Sequence, residues 1–300
     1  MPSKLQESAS LSLLHSTSWT LVHVVLFSLA ALAVKSLNQY VPVSGQIFFR
    51  SAVAVAIVVA TSRGAVLSSL VGEEKKLLFL RGVLGFIGLF GAFYSFTILP
   101  IAIAMTIIGT TPLFVMVFGA VALGEKIKPD MIVYGLGVAV SIFFVVQPES
   151  VSVADYEDVS LIGVAMAFMS SIAAALAFTT VRAVVQKVGV QAVVFWFAGV
   201  CLVGSLIFDG FPSYVTDIPT HALFLLVALC VLGVTSDLAK TQAYKFGVAW
   251  YVSLLSVLSV AVSGLLAWMF IGQTISVAQW IGILFMMLFM AAAIHRSRGR

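Results

Sequence analysis

Charged residues are scarce in this chain. Asp, Glu, Lys and Arg make up 9% of its 300 residues, whereas 61% are hydrophobic. A soluble globular domain carries about a quarter charged residues and about half apolar ones. No soluble fold of this length could remove so much apolar surface from water, but a lipid bilayer tolerates it. The composition therefore predicts an integral membrane protein.

Other absences narrow the function. The two cysteines, Cys201 and Cys230, lie in apolar runs, which excludes a disulfide framework and a cysteine-based metal site. The sequence has no phosphate-cradling glycine loop followed by Lys-Ser/Thr, no His-Glu-x-x-His motif and no arginine-rich helix. We therefore expect no ATP-driven motor, no catalytic metal, no cofactor and no voltage sensor. The formal net charge of +4 is explained by membrane topology, and we expect no nucleic-acid partner.

The long apolar runs predict an all-α polytopic protein. A helix needs about 20 apolar residues to cross a hydrocarbon core of about 30 Å. Turn residues and charges divide the sequence into ten such runs: 19–37, 45–62, 77–98, 101–121, 131–147, 161–181, 191–208, 222–243, 249–271 and 277–294. The first run lacks a small-residue cleavage site after it, so we expect a retained span and no cleaved signal peptide.

Basic residues set the orientation. With the N-terminus inside, fourteen of the sixteen Lys and Arg residues fall in inner segments. The outer loops hold none and carry six acids instead. Because cytoplasmic segments are rich in Lys and Arg, ten helices with both termini cytoplasmic fit this distribution, and we expect the plasma (inner) membrane as the location. Lys35 and Arg50, near the outer ends of spans one and two, are the two exceptions.

The two halves of the chain resemble each other weakly. Span four ends at residues 123–127 in Leu-Gly-Glu-Lys-Ile, and span nine ends at 270–275 in Phe-Ile-Gly-Gln-Thr-Ile. With five helices in each half, the second copy would enter the membrane with opposite polarity, which is a common device of secondary transporters. Apolar helices also resemble one another by composition alone. We predict a cytoplasmic segment 1–18, a first repeat 19–148, an outer loop 149–160, an inverted repeat 161–294 and a basic tail 295–300.

Several motifs carry a resemblance to a known family. Residues 81–85, 93–94, 99–102, 111–114 and 123–126 resemble the EamA-type half of the drug/metabolite transporter superfamily, and Lys35, Pro42 and Arg50 match its first two helices. The second half departs from the pattern, because Gln273 replaces the expected glutamate and span nine lacks the proline of span four. The resemblance implies a ten-helix fold of two inverted five-helix repeats that transports metabolites by alternating access. The most similar branches carry S-adenosylmethionine-like or amino-acid-like solutes.

Ionisable residues inside spans are the first candidates for the site, because burying a charge in hydrocarbon is costly. Arg50 could bind a substrate carboxylate or phosphate bidentately, or it could snorkel to the outer interface. The same two readings apply to Lys35. Asp237 could receive a proton or a substrate amine, or it could be neutralised by Lys240 one turn later.

Other polar groups extend the list of candidates. His23 could shuttle protons, or it could be a hydrogen-bonded packing residue. Glu125, beside Lys126 at the cytoplasmic end of span four, reads as a helix-end ion pair or gate. Thr106 and Thr110 share one helix face next to Pro112, whose ring would free a backbone carbonyl for a polar solute; local hydroxyl bonding is the alternative.

Aromatic and small residues are the remaining candidates. Tyr94 could stack on a planar or cationic ligand, whereas Trp250 and Tyr251 suit an interfacial anchor. The glycines of span three at 82, 85, 88 and 91, and the serines of span nine, most simply allow close helix packing.

Together these patterns predict a secondary transporter that moves a small polar or zwitterionic metabolite, S-adenosylmethionine-like or amino-acid-like, by alternating access. We expect the substrate at Arg50, Lys35, Tyr94, Thr106, Thr110 and Asp237, with Asp237 and His23 as the groups for proton or counter-solute coupling. The partners are a small-molecule metabolite and the bilayer, and the protein would be a monomer or homodimer. A nucleotide-sugar exchanger is the alternative, although it would need more cavity-facing basic residues. A lipid-modifying membrane enzyme would need clustered acids or histidines, and the acids here are scattered.

Overall fold

A computed structural model of the chain describes residues 4–37, 39–98, 107–125, 129–146, 160–209, 218–271 and 276–298. Regular structure in these ranges is helical, as predicted. A 3₁₀ helix, Ala65–Leu70, follows the second α-helix. In chain order the α-helices are α1 Lys4–Leu37, α2 Val43–Thr61, α3 Lys75–Ile98, α4 Thr111–Leu123, α5 Pro129–Val146, α6 Leu161–Val188, α7 Val190–Asp209, α8 Thr220–Phe246, α9 Ala249–Ser256, α10 Leu258–Ile271 and α11 Val277–Arg298.

Six helical segments of the described chain are long and apolar enough to cross a membrane: Leu11–Val34, Val43–Thr61, Lys75–Ser95, Leu161–Val188, Val190–Ile207 and Thr220–Phe246. Shorter apolar helices lie within the other four predicted spans: Thr111–Leu123, Ile132–Ser141, Ala249–Ser263 and Trp280–Phe289. The prediction of a polytopic helical membrane protein is therefore confirmed, while the count of ten spans stays a prediction.

The first helix begins earlier than the apolar pattern indicates. The predicted cytoplasmic segment 1–18 is helical from Lys4 onward and continuous with span one. Ser12 donates its hydroxyl to the carbonyl oxygen of Phe246 at 2.8 Å, and Ser16 donates to that of Ala243 at 3.1 Å. Both serines thus join α1 to the end of α8, where the Ala243 carbonyl oxygen also accepts the backbone N–H of Gly247 at 2.9 Å.

Pro112 lies in the first turn of a helix, whereas the sequence predicted a freed backbone carbonyl within span four. Residues 109 and 110 form a turn, and α4 starts at Thr111 with Pro112 in its first turn. The missing N–H of proline costs little there, because the first N–H groups of a helix have no intrahelical acceptor. Span nine is likewise divided, with Val257 between α9 and α10.

The glycines of α3 allow close packing, as predicted. A Cβ on Gly88 would lie 3.1 Å from the backbone nitrogen of Ala174 in α6, and one on Gly91 would lie 3.0 Å from the carbonyl oxygen of Met166. On the other face, a Cβ on Gly82 would meet Val200 of α7 at 2.6 Å. Because backbone atoms cannot move aside as a flexible side chain can, α3 approaches α6 this closely only with glycine at these positions.

The helix contacts are arranged symmetrically between the two halves of the chain. The most extensive interfaces are α1 with α8 and α3 with α6. Each helix can be paired with the helix five predicted spans later, so that α1 corresponds to α6 and α3 to α8. Under this pairing the α1–α8 interface corresponds to the α3–α6 interface. The α2–α7 and α5–α11 interfaces each join two helices that correspond to one another. The α3–α7 interface corresponds to the α2–α8 interface. The packing of α4 on α6 corresponds in the same way to that of α9 and α10 on α1.

Candidate functional site

Arg50 and Asp237 form an ion pair between α2 and α8, in which the Nη2 group of Arg50 donates to Oδ2 of Asp237. The two side chains are 15% and 23% exposed. Gly233, one turn before Asp237, makes the approach possible, because a Cβ there would lie 2.7 Å from Nε of Arg50. The sequence had left Arg50 as a substrate ligand or a snorkelling residue, and had considered Lys240 as the partner of Asp237. The structure joins Arg50 and Asp237 instead.

A second arginine lies close to this pair. Arg81, near the start of α3, is 7% exposed, and its guanidinium carbon stands 4.4 Å from the centroid of the Phe197 ring in α7. Arg50 approaches the same ring at 5.8 Å. The Nε and Nη1 groups of Arg81 are buried and have no hydrogen-bond partner among the described residues. Gly85, one turn later, provides the space, since a Cβ there would contact the Arg81 guanidinium and lie 2.8 Å from the Phe197 ring.

Lys240 provides a third cation. It lies one turn after Asp237 on α8, and its Nζ stands 3.9 Å from the centroid of the Phe178 ring in α6. Phe178 in turn stacks on Tyr244 with the ring centroids 5.6 Å apart. The aromatic face stabilises the ammonium group partly by a cation–π interaction, which strengthens where water is excluded.

The cluster is rich in basic groups. Three basic side chains, those of Arg50, Arg81 and Lys240, are grouped with the single carboxylate of Asp237 by the ion pair, by the shared Phe197 ring and by position on α8. Buried ions need partners, because removing a charge from water costs several kcal/mol or more. Aromatic faces compensate only part of that cost, at about 2 kcal/mol for a desolvated pair. The arrangement therefore favours a ligand that carries negative charge.

His23 connects α1 to the same part of α8. Its Nδ1 lies 2.8 Å from the hydroxyl oxygen and 3.2 Å from the carbonyl oxygen of Ser236, the residue before Asp237. The side chain is 3% exposed. These contacts are those of a hydrogen-bonded packing residue, and they also place an imidazole next to the residue that binds Arg50.

Polar contacts join helices at their predicted cytoplasmic ends. Oε1 of Glu125, just after α4, accepts a hydrogen bond of 3.0 Å from the backbone N–H of Ala249, the first residue of α9. Arg182 of α6 donates to the carbonyl oxygens of Tyr244 and Lys245 at 2.8 and 3.1 Å. The sequence had read Glu125 as an ion pair or gate. In the structure its carboxylate stabilises the N-terminus of a helix in the other half of the chain.

The remaining candidates from the sequence lie away from the cluster or are engaged locally. Tyr94 is 39% exposed and stacks on Phe90 at 6.0 Å, about 20 Å along α3 from Arg81 at 1.5 Å per residue. Thr110 donates its hydroxyl to the carbonyl oxygen of Ile107 at 2.6 Å. Thr106 lies outside the described residues, as does the side chain of Lys35. The substrate roles of these four residues stay predictions.

Sequence reasoning missed Arg81, Lys240 and the two phenylalanines as site residues. Arg81 and Lys240 were counted with the inner basic residues that set topology, although each lies within a predicted helix. One signal was available, since Arg81 follows the start of an apolar run and begins the 81–85 motif. Phe178 and Phe197 are two of 23 phenylalanines, and nothing in the sequence distinguishes them.

Long apolar helices around a buried charge cluster define an integral membrane protein with an internal polar site. The chain belongs to the EamA-like transporter family, which matches residues 16–147 and again residues 161–294. It is therefore a membrane transporter, and the name of its family is that of transporters rather than of enzymes.

Individual relatives are more distant. The chain is 25% identical to proteins named "Pseudopaline exporter CntI" in two strains of Pseudomonas aeruginosa, over 244 residues that cover 81% of this chain and 83% of each relative. A protein known from a crystal structure shares the fold, with a TM-score of 0.78 and 19% identity over 94% of this chain and 97% of that one.

Proposed function

We propose that this transporter carries a small anionic or zwitterionic metabolite, amino-acid-like in its charged groups, across the membrane by alternating access. The observation that carries the proposal is the partly buried cluster of Arg50, Arg81 and Lys240 with the single carboxylate of Asp237. Buried charges within membrane spans are costly and typically line substrate or ion pathways. A surplus of positive charge favours a carboxylate or phosphate on the solute, which charge-assisted hydrogen bonds would hold.

Two observations support an architecture of ten helices in two inverted repeats, 19–148 and 161–294. The family matches the chain twice, once in each proposed repeat. The helix contacts are also interchanged when the halves are exchanged, as a two-fold relation in the membrane plane requires. The charge cluster draws Arg50 and Arg81 from the first repeat and Asp237 and Lys240 from the second. It therefore lies between the repeats, where such transporters bind their solutes.

Alternating access requires contacts that break on one side of the site. The hydrogen bond from Ala249 to Glu125 joins the second repeat to the first. It lies at the end of the molecule that the distribution of basic residues assigns to the cytoplasm. In the proposed cycle this contact separates when the site opens inward.

The charge of the cluster distinguishes among the solutes considered from the sequence. An S-adenosylmethionine-like solute carries a sulfonium and an ammonium against one carboxylate, so its net positive charge is unfavourable here. An amino-acid-like solute can place its carboxylate on the cations and its ammonium on Asp237. A nucleotide-sugar exchanger stays a second candidate, because Arg81 and Lys240 supply the additional basic residues that such a solute needs. The name of the Pseudomonas aeruginosa relatives supports export as the direction.

A binding screen tests the site. The purified protein is heated with amino acids, dicarboxylates, S-adenosylmethionine and nucleotide sugars, and the midpoint of unfolding is recorded. A ligand that binds only the folded state raises its stability by about 2.7 kcal/mol at a hundred times the dissociation constant. We expect stabilisation by an anionic or zwitterionic solute that is lost in Arg50→Gln and retained in Arg63→Gln, a matched change outside the cluster. Stabilisation that persists in Arg50→Gln would place the binding site elsewhere.

A further inference from the structure

Arg81 differs from Arg50 in its hydrogen bonds. The guanidinium of Arg50 is satisfied in part by Asp237, whereas Nε and Nη1 of Arg81 are buried without an acceptor in the described structure. Burying a hydrogen-bond donor without a partner costs about 1–3 kcal/mol, and more for a charged group. A structural arginine in a helical interface would be expected to bond a carbonyl or a carboxylate. Arg81 is therefore placed to receive an acceptor that the chain itself does not supply.

The carboxylate of the cluster is already engaged, because Asp237 bonds Arg50. The charged and titratable groups that act on Arg81 are Asp237, Arg50, Cys201 and Tyr244. Arg81 shares the Phe197 ring with Arg50, and Lys240 lies one turn after Asp237, the partner of Arg50, so Arg81 and Lys240 belong to one cluster. With Asp237 assigned to Arg50, Arg81 and Lys240 stay unneutralised.

Flat aromatic faces hold both cations in defined orientations. Phe197 lies beneath the guanidinium of Arg81 at 4.4 Å, and Phe178 lies beneath the ammonium of Lys240 at 3.9 Å. A cation on an aromatic face keeps its N–H donors free for a ligand on the other side, and the ring excludes water from below. Gly85 preserves the space for this stack, because a Cβ there would contact both Arg81 and Phe197.

We infer that Arg81 and Lys240 together receive a dianionic group or pair of groups, so that the transported solute is a dicarboxylate or a phosphate monoester. This inference deepens the proposed function and depends on it. Two uncompensated cations in a low-dielectric site are neutralised by two negative charges, and a monoanion leaves one of them unpaired. Asp237 already bonds Arg50, whose guanidinium lies 5.8 Å from the centroid of the Phe197 ring.

The test compares ligands that differ by one charge. Dissociation constants are measured by calorimetry for succinate, its monoamide succinamate, and glycerol 3-phosphate. In the wild-type protein we expect succinate or glycerol 3-phosphate to bind at least about tenfold more tightly than succinamate, since a hydrogen bond to a charged group contributes about 1.5–3 kcal/mol, which corresponds to about tenfold or more. Tighter binding of succinate identifies the dicarboxylate class, and tighter binding of glycerol 3-phosphate identifies the phosphate class. Equal binding of succinamate, or no binding of either dianion, overturns the inference.

Variants of Arg81 separate a binding role from a structural one. Removing an unpaired buried charge relieves its desolvation cost, so we expect Arg81→Met without ligand to unfold at a higher temperature than the wild type. The same variant should lose the preference for dianions, and Arg81→Lys should recover part of it. A lower unfolding temperature of ligand-free Arg81→Met would show that Arg81 supports the fold and would overturn the inference. If a monoanionic or zwitterionic solute binds and depends on Arg50, while neither dianion is preferred, the proposed function stands and the dianion inference falls.

Discussion

Arg50 of α2 and Asp237 of α8, 187 positions apart in the chain, form an ion pair at the centre of a cluster that contains two further cations. Gly233 makes room for the arginine one turn before the aspartate. The pair thus joins a helix of the first proposed repeat to a helix of the second. The packing of the two halves therefore depends on the charge balance of the site. The first prediction follows from this dependence.

Neutralising both members of this pair should cost less stability than the sum of the two single changes. Arg50→Gln leaves Asp237 as a buried charge without its partner, and Asp237→Asn leaves Arg50 in the same situation. Each single change should lower the free energy of unfolding by about 3 kcal/mol, the lower part of the range for buried pairs because both side chains are partly exposed. The double variant should lose less than the sum, and a double-mutant cycle of unfolding measured in one detergent gives the coupling energy. Additive effects would mean that the two residues do not depend on each other.

The carboxylate of Glu125 should stabilise the closed end of the protein through Ala249. Glu125→Ala removes the acceptor at the N-terminus of α9 and should cost about 1 kcal/mol, the usual value for a lost helix cap. Glu125→Gln keeps one acceptor oxygen and should cost less. Glu74→Ala is the matched control, since its ion pair with Lys187 is on the surface and contributes little. If Glu74→Ala and Glu125→Ala lower the thermal midpoint equally, the contact with Ala249 has no special role.

Close packing of α3 on α6 should make Gly88 intolerant of a methyl group. Gly88→Ala would place a Cβ 3.1 Å from the backbone nitrogen of Ala174, and overpacking of this kind costs about 1–3 kcal/mol. Gly199 of α7 has open space at the same position, so Gly199→Ala should be neutral or stabilise by up to about 1 kcal/mol through helix propensity. Thermal unfolding of both variants in one detergent decides the matter. Equal tolerance at Gly88 and Gly199 would contradict the packing described here.

Asp237, rather than His23, should carry any proton that is coupled to transport. The carboxylate of Asp237 is 23% exposed and bonds the arginine of the site, whereas His23 is buried against Ser236. In proteoliposomes that contain a pH-sensitive dye, Asp237→Asn should abolish solute-driven proton movement, and His23→Gln should preserve it. Loss of proton movement in His23→Gln with solute binding intact would reverse this assignment.

The sequence predicted the membrane class, the positions of the helices and two members of the cluster. Apolar runs and scarce charges are sufficient for the first two, because hydropathy measures the same transfer energy that places a helix in lipid. Arg50 and Asp237 were found because an ionisable residue within an apolar run is conspicuous. Their pairing could not be predicted, since it depends on how α2 and α8 approach each other.

Arg81 shows what the counting of basic residues in predicted loops cannot reveal. A basic residue near a predicted helix end is assigned to the loop by default, and only the packing of α3 on α7 reveals that its guanidinium stands on Phe197. Pro112 shows a similar limit, because a proline in an apolar run predicts a break but not the side of the break on which the helix begins. Local propensity determines neither the position of the Arg81 guanidinium nor the residue at which α4 begins, and tertiary packing decides both.

Solute exchange by the purified protein in liposomes tests the central claim most directly. Proteoliposomes are loaded with an unlabelled solute found by the binding screen, diluted into a trace of the labelled solute, and followed over time. We predict that wild-type protein accumulates label transiently above equilibrium. The Arg50→Gln variant, whose folding is checked by size-exclusion chromatography, should not accumulate label. Binding without exchange in the wild type, or undiminished exchange in Arg50→Gln, would contradict a transport site at the Arg50–Asp237 cluster.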